Sequence, residues 1–244
     1  MTCPYPNPAA RLRLFCLPFA GGGASLFRTW GKTLSPTIEV CPIQLPGREE
    51  RLGDPPYTNL QALAESIALQ LQPYTQQPFA LFGHSVGALL AFELTTTLRR
   101  QNAPMPLVLF LSAHRAPHLP ARRKPLSLLP DVEFLQAVCA IGGTPAAVFE
   151  NQALRDLVLP ALRADFTALE TYRYVPEAPL DCPLVLYAGL EDTQAPPQDV
   201  AAWEEYTTQT AMLRLFPGDH FFLRSDRERL LQTTAATLVQ LGVC

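Results

Sequence analysis

Residues 83–87 read Gly-His-Ser-Val-Gly, a Gly-x-Ser-x-Gly motif in which Ser85 has the chemistry of a nucleophile. Apolar runs at 79–82 and 88–90 predict a strand before this motif and a helix after it. The flanking glycines have no Cβ atoms, so the strand and the helix can approach closely. The start of a helix also favours the negative charge that develops during acyl transfer. The pattern predicts a nucleophile elbow rather than a chance glycine-rich turn.

An acid and a histidine follow this serine, each in a loop after a predicted strand. The apolar run 183–188 predicts a buried strand that leads to Asp192, and the alternating run 211–216 predicts a strand that leads to His220. The order serine, acid, histidine is that of α/β-hydrolases. We therefore assign His220 as the base that takes the serine proton and Asp192 as the acid that orients the imidazole.

Two neighbouring carboxylates are alternatives to Asp192. Glu191 adjoins it in the same loop, whereas Asp219 adjoins His220 and would have to fold back to reach the ring. We rank Asp192 ahead of both.

The other histidines have separate expectations. His84 lies inside the elbow, and we expect it to be packed in the core with its side chain directed away from Ser85. His114 and His118 follow a predicted strand at 107–111, where they either line a pocket or, as is more common for loop histidines, are solvated.

A glycine-rich turn near the N-terminus is predicted to supply a backbone N–H that stabilises the oxyanion. A strand at 12–17 leads into Pro-Phe-Ala-Gly-Gly-Gly at 18–23, before a helix-like stretch. An oxyanion hole in this fold combines the N–H after the nucleophile, here that of Val86, with one from an early strand-to-helix loop. We expect the second donor to be Ala20, with Phe19 as the alternative. A phosphate-binding loop is excluded because the turn has neither Gly-Lys-Ser/Thr nor Gly-x-Gly-x-x-Gly.

Strand and helix signals alternate along the chain, which predicts one α/β domain over 1–244 with a mostly parallel central sheet flanked by helices. The remaining elements are a strand at 38–43, helices at 25–34 and 226–241, and an amphipathic helix. That helix has apolar residues at 3.6-residue spacing, namely Leu60, Leu63, Ala64, Ile67 and Leu71.

One interval, from about 117 to 179, shows helical patterns without strands. We interpret it as a lid over the serine, because an acyl chain needs apolar cover; the alternative is additional core packing. Its apolar faces, such as Leu154, Val158 and Leu162, are expected to pack. Near its start, Arg122, Arg123 and Lys124 either dock an acidic partner or are solvated.

These motifs closely resemble those of the type II thioesterases, the stand-alone editing enzymes of non-ribosomal peptide and polyketide synthesis. They are also similar to those of animal medium-chain acyl-carrier thioesterases. The resemblance covers nearly the whole chain, through the segments 17–22, 45–51, 83–87, 112–117, 142–145, 159–166, 170–172 and 218–223. By this resemblance the fold is that of α/β-hydrolases, and the family's serine, aspartate and histidine correspond to Ser85, Asp192 and His220.

The chain departs from the family pattern at two positions. Val86 stands where methionine is common, which we expect to narrow the pocket beside the oxyanion hole, and Asp219 stands where glycine is common. In the family's Pro-Gly-Arg-Glu loop, Arg48, Glu49 and Arg51 either pair structurally or line the mouth of the site, and they stay outside the catalytic set.

The resemblance implies hydrolysis of acyl thioesters carried on the 4'-phosphopantetheine arm of acyl or peptidyl carrier domains. The implied role is to clear misprimed or stalled acyl groups, and the implied partner is a carrier domain of a synthase. No cofactor is expected besides the arm of the substrate. One alternative is a small-ester carboxylesterase with the same triad. The other is a non-catalytic carrier-binding module, which an intact triad disfavours.

Composition limits the classes of function. A chain of 244 residues with 48% hydrophobic residues suits one domain with a good-sized core. The net charge of -3 lacks the excess of basic residues that is typical of nucleic-acid-binding proteins. The first residues lack the basic and apolar regions of a signal peptide, so we expect a cytoplasmic protein. We also expect a monomer that does not bind membranes. Because the cysteines show neither Cys-x-x-Cys nor metal-ligand spacing, we expect reduced thiols and no metal.

Overall fold

The computed structural model describes residues 6–34, 36–144 and 146–242, without the side chains of Ala146 and Phe149. Two cysteines of the sequence, Cys3 and Cys244, and the last residue of the 142–145 motif, Pro145, therefore lie outside the described residues.

Six strands form one sheet, in which every neighbouring pair is parallel. They are β1 (Leu12–Leu17), β2 (Ile38–Pro42), β3 (Phe79–His84), β4 (Leu109–Ser112), β5 (Leu184–Gly189) and β6 (Ala211–Phe216). Their order across the sheet is β2-β1-β3-β4-β5-β6. The predicted mostly parallel α/β architecture is confirmed.

Helices flank the sheet on both faces. They are α1 (Leu60–Leu71), α2 (Val86–Arg100), α3 (Asp131–Ile141), α4 (Ala146–Glu150), α5 (Gln152–Thr171), α6 (Pro197–Ala201), α7 (Phe222–Ser225) and α8 (Arg227–Gln240). Asn59 caps α1 by accepting the Ala62 N–H at 2.8 Å. The predicted amphipathic helix is thus confirmed as α1, and the predicted closing helix as α8.

The core has two apolar layers, one on each face of the sheet. Helices α1, α2 and α6 cover one face, and α8 covers the other. Alternate side chains of each strand point to opposite layers, as in β1, where Phe15 and Leu17 join one layer and Leu14 and Cys16 the other. Both faces are buried, which is why the strands appear in the sequence as nearly continuous apolar runs.

The helix predicted over 25–34 is wrong. Two single turns of 3-10 helix stand there, at Ala24–Phe27 and Trp30–Lys32. Phe27 and Trp30 both pack on Phe82, with ring centroids 6.1 and 4.9 Å from it. Phe27 ends the first turn and Trp30 begins the second, so the break between the two turns falls where both rings contact the sheet. The predicted strand at 107–111 also differs, since β4 begins at Leu109.

The strand register brings the carboxyl ends of the central strands together. His84 at the end of β3 pairs with Ser112 at the end of β4, and Ser112 pairs with Tyr187 of β5. Gly189 at the end of β5 pairs with Phe216 at the end of β6. The loops that follow β3, β5 and β6 therefore leave the sheet at the same edge, where ligands bind in open α/β sheets.

The described residues of the interval 117–179 form α3, α4 and α5 and no strand, as predicted. Its apolar cluster comprises Phe134, Leu135, Val138, Leu162 and Phe166. The expectation that its apolar faces pack is confirmed for Leu162, which is buried, and for Val158, which packs against this cluster. It is wrong for Leu154, which is 38% exposed in the first half of α5.

Candidate active site

Ser85 occupies the turn between β3 and α2. Its backbone has φ 56° and ψ −123°, a conformation that is strained for a residue with a Cβ atom. A Cβ on Gly83 would lie 2.0 Å from the Gly87 carbonyl oxygen, and one on Gly87 would lie 2.3 Å from the Leu17 carbonyl oxygen. Only glycine fits at either position, so the packing of β3, α2 and β1 holds the serine in this turn.

The structure brings Ser85, His220 and Asp192 into one hydrogen-bonded line. The distance from Ser85 Oγ to His220 Nε2 is 3.0 Å, and that from His220 Nδ1 to Asp192 Oδ2 is 2.8 Å. The carboxylate can only accept, so Nδ1 carries the ring proton and Nε2 is free to accept the serine O–H. This geometry suits general-base activation of the serine.

The loop after β5 holds the carboxylate of Asp192. Its Oδ1 accepts the backbone N–H groups of Gln194 at 2.8 Å and Ala195 at 2.9 Å, while Oδ2 faces the histidine. Asp192 is buried, whereas Glu191 is exposed. Asp219 accepts the Phe221 N–H at 2.8 Å and so stabilises the turn that carries His220. The geometry favours Asp192 over both alternatives.

His84 contributes to the site from below the elbow. Its Nε2 lies 2.9 Å from the His220 carbonyl oxygen and its Nδ1 lies 2.8 Å from Ser112 Oγ. Since a carbonyl oxygen only accepts, Nε2 is the donor and Nδ1 accepts the Ser112 O–H. Burial, with a smaller contribution from nearby His220, holds the pKa of His84 well below its ordinary value. The expected core histidine is confirmed, and its bond to the backbone of His220 is a contact that no sequence motif indicated.

Two N–H groups of the turn at 18–23 are already used within the protein. The Gly21 N–H donates to Asp165 Oδ2 at 2.7 Å and the Gly22 N–H donates to the Phe19 carbonyl at 2.8 Å. The N–H groups of Ala20 and Phe19 have no acceptor among the described residues. Val86 is the first residue of α2, where a backbone N–H has no partner within the helix. Ala20, the expected donor, and Phe19, its alternative, are therefore both available to act with Val86.

A cavity of about 460 Å³ extends from Ser85 and His220 toward the interval 117–179. Its apolar wall is formed chiefly by Phe19, Leu89, Leu119, Val138, Ile141, Phe166, Leu169 and Phe221. Val86 packs in the same core layer as Leu89, which does line the cavity. The narrowing expected from Val86 stays a prediction.

His114 also lines the cavity, so the expectation of a solvated loop histidine is wrong for this residue. Its Nδ1 lies 2.7 Å from the Arg115 carbonyl oxygen, and its own carbonyl accepts the Trp203 indole N–H at 2.8 Å. Burial lowers the pKa of His114 to about 3, so the ring is neutral. His118 is exposed at the rim and stacks on Tyr206.

The charged segments of the sequence have specific partners. Arg122 forms a bidentate pair with Asp199, in which Nη2 lies 2.7 Å from Oδ1. Arg123 donates to Gln194 Oε1 at 2.6 Å and lies over the Phe166 ring, 5.3 Å from its centroid. Both line the cavity, whereas Lys124 is exposed and does not.

The Pro-Gly-Arg-Glu loop has a structural role in this chain. Arg48 forms a buried pair with Asp165, Glu49 accepts the Ser25 N–H at 3.2 Å, and Arg51 pairs with Asp54 at 2.7 Å. Of the two possibilities for this loop, its contacts therefore support pairing.

Within residues 6–34, 36–144 and 146–242, no group of three or more histidine, cysteine, aspartate or glutamate side chains could hold a metal ion. The structure shows Cys16, Cys139 and Cys182 as free thiols. In the same part of the chain, no helix has the length and apolar character needed to cross a membrane.

Comparison with known proteins shows similarity along almost the whole chain. Residues 12–238 match the family described as Thioesterase domain. The gramicidin S biosynthesis protein GrsT of Aneurinibacillus migulanus is 42% identical over 226 residues, which cover 93% of this chain and 88% of that protein. The structure of RedJ, a thioesterase of the prodiginine pathway in Streptomyces coelicolor, superposes on this chain with a TM-score of 0.87 and 44% sequence identity. The superposed region covers 93% of this chain and 91% of RedJ. YbtT, a type II thioesterase of the yersiniabactin pathway, has a TM-score of 0.88 and 31% identity over 98% of this chain and 97% of YbtT.

Proposed function

Because the chain belongs to the thioesterase domain family, we propose that it is a type II thioesterase that releases acyl groups from carrier domains of a non-ribosomal peptide or polyketide synthase. The observation that carries this proposal is the line Ser85–His220–Asp192 at the base of a largely apolar cavity. The bond attacked is the thioester between the acyl group and the 4'-phosphopantetheine thiol. Thioesterase RedJ and type II thioesterase YbtT, which share this fold, support that choice.

The reaction follows from the geometry in two halves. His220 Nε2 takes the Ser85 proton as Oγ attacks the thioester carbonyl, and the Ala20 and Val86 N–H groups stabilise the oxyanion. The carbon–sulfur bond breaks and His220 returns the proton to the departing thiol. Water, deprotonated by His220, then attacks the acyl–serine ester and releases the carboxylic acid. Asp192 keeps the imidazole in the required tautomer throughout.

An editing role suits a cavity in which apolar contacts dominate. Polar side chains also line the cavity, but several of them already have partners within the protein. Glu170 accepts the Leu126 and Ser127 N–H groups, Tyr172 donates to Glu93, and Gln194 accepts from Arg123. Apolar contact discriminates weakly between chains that differ by one methylene group. We therefore expect several short acyl groups to be accepted, as removal of mixed misprimed groups requires.

Competing substrates provide the test of this function. One acyl group is presented on a carrier domain, on coenzyme A and as a p-nitrophenyl ester, and kcat/KM is measured for each. We expect the carrier thioester to be preferred by about tenfold or more, because contacts remote from the reacting bond contribute to transition-state binding. A preference for the p-nitrophenyl ester would indicate a small-ester carboxylesterase. Failure of a fluorophosphonate to label Ser85 would indicate a non-catalytic carrier-binding module.

We also propose that part of the interval 117–179 is a lid. Pro160 lies inside α5, where it removes one backbone hydrogen bond. Before it, Leu154 and Leu157 are exposed, and after it Leu162 and Phe166 are buried. Exposed apolar side chains thus lie on α5 before Pro160, and 146–159 is the portion that we expect to open for the phosphopantetheine arm.

Amide hydrogen exchange tests the lid. We expect amides at 146–159 to exchange faster than those of α5 after Pro160 and of β3, because Leu154 and Leu157 are exposed there and Pro160 interrupts the hydrogen bonds of α5. Binding of a non-hydrolysable acyl-carrier mimic should slow exchange there. Equal protection of both halves of α5, unchanged by the mimic, would mean that the segment is fixed and that substrate enters a preformed channel.

The cytoplasmic location and the monomeric state remain predictions from the sequence.

A further inference from the structure

Asp165, on the second half of α5, forms a buried ion pair at the edge of the oxyanion hole. Its two carboxylate oxygens accept from Arg48 Nη1 at 2.6 Å and Nη2 at 2.8 Å. Arg48 is 8% exposed and Asp165 is 5% exposed. Asp165 Oδ2 also accepts the Gly21 N–H at 2.7 Å. One carboxylate thus bonds both the arginine and the backbone of the turn at 18–23.

Arg48 also forms a hydrogen bond with the turn at 18–23. Its Nη1 donates to the Gly22 carbonyl at 3.2 Å, and its Nε donates to the Pro46 carbonyl at 3.3 Å. The ion pair therefore holds the N–H of Gly21 and the C=O of Gly22. These groups belong to the two residues that directly follow Ala20, whose N–H is the expected oxyanion donor.

Packing brings α5 against this turn as well. Gly21 has φ +76°, and a Cβ added there would lie 2.7 Å from Leu162 Cδ1. Ala20 packs against the cluster of apolar residues that α3 and α5 share. The oxyanion turn thus lies between the sheet and the second half of α5, with contacts to both.

We infer that Asp165, together with Arg48, is a positioning residue that orients the Ala20 N–H toward the reacting carbonyl. Neither side chain is placed to touch the reacting atoms. An oxyanion donor works only within about 2.7–3.1 Å of the developing charge, so a small tilt of the turn weakens its contribution. A misplacement of about 1 Å can cost roughly a hundredfold in rate. The oxyanion hole is in this view built jointly by the sheet edge and by a helix of the 117–179 interval. This inference rests on the proposed thioester hydrolysis.

Asp165→Asn provides the first test, since it keeps the shape of the side chain. In the wild type, Oδ2 accepts both the Gly21 N–H and Arg48 Nη1. The asparagine oxygen can take that place, but the NH₂ group then faces Arg48 Nη2, which is also a donor, and the carboxylate charge is lost, so Arg48 is no longer held by two hydrogen bonds. We expect kcat to fall by about tenfold to a hundredfold while KM changes by less than about threefold. Asp131→Asn is the matched control, because Asp131 also pairs with an arginine of α5, Arg163 at 2.7 Å, but does not contact the turn. Its kcat should stay within about twofold of wild type.

An inhibitor separates positioning from a general loss of structure. An alkylboronic acid forms an adduct with the serine that places a boronate oxygen in the oxyanion hole. In Asp165→Asn its Ki should rise by the same factor by which kcat/KM falls, while the Ki of the product carboxylic acid stays unchanged. A purely structural role would weaken both ligands alike.

The double variant Arg48→Met with Asp165→Leu covers the case in which the single variant does not fold. Apolar replacement of a buried ion pair often restores stability. We expect thermal stability near wild type with kcat still reduced at least tenfold, because no acceptor remains for the Gly21 N–H. If the double variant also fails to fold, Arg48→Lys is the alternative. It keeps the charge but loses the two guanidinium nitrogens that bond the carboxylate, so its kcat should be reduced severalfold.

Two results would overturn the inference: a folded Asp165→Asn with wild-type kcat, or a double variant whose kcat recovers together with its stability. Wild-type enzyme that hydrolyses no thioester would instead contradict the proposed function. The two failures are therefore distinguishable in one set of assays.

Discussion

Ser85→Ala should abolish thioester hydrolysis and leave the fold intact. Loss of the nucleophile of a Ser-His-Asp triad typically lowers the rate about a million-fold, because the remaining groups cannot form the acyl–enzyme. The fold should survive because alanine keeps the Cβ atom and the turn is held by the close approach of Gly83 and Gly87. The measurements are turnover of an acyl-carrier thioester and the circular dichroism spectrum.

A serine away from the site provides the control for this variant. Ser66 lies on α1 and hydrogen-bonds with Gln70, so Ser66→Ala should keep turnover within about twofold of wild type. A folded Ser85→Ala enzyme with near wild-type activity would show that another residue is the nucleophile.

Asp192→Asn should lower kcat by about 10³-fold to 10⁴-fold. The oxygen that accepts the Gln194 and Ala195 N–H groups can be retained, so the loop should keep its shape. The NH₂ group would then face His220 Nδ1, which must become an acceptor. The proton moves to Nε2, and that atom can no longer take the serine proton.

Glu191→Gln is the matched control, because Glu191 is exposed in the same loop. Its kcat should stay within about twofold of wild type. If the two variants exchanged their effects, Glu191 would be the acid. Measurement of kcat for both on one acyl-carrier substrate decides between them.

Local patterns in the sequence determined the architecture and the three candidate catalytic residues. Apolar runs indicated β1, β3 and β5, because strands buried on both faces leave little room for polar residues. Alternation indicated β6, which lies at the edge of the sheet and is only partly buried. The elbow was predictable because a tight turn demands glycine at fixed positions around the serine. The order of Ser85, Asp192 and His220 followed from the strands that each one succeeds.

Local patterns failed where a neighbour outside the segment decided the conformation. The stretch 25–34 has helix-like spacing, yet Phe27 and Trp30 both pack on Phe82 of a strand that lies far along the chain. Similarly, Leu154 has the spacing of a buried helix face but no partner surface at the first half of α5. Periodicity predicts which side chains share a face of a helix or strand, but it does not predict which other segment covers that face.

Only the tertiary structure decided which polar groups meet. Arg48 and Asp165 are 117 positions apart, and His84 reaches the backbone of a residue 136 positions away. Neither pairing has a sequence signature, because residue type records the capacity to donate or accept and not the partner. His114 resembled a loop histidine until its burial against the cavity was seen. The sequence alone thus determined the elements and the three candidate catalytic residues, and the fold alone determined the hydrogen bonds that hold them in position, since those depend on contacts between distant segments.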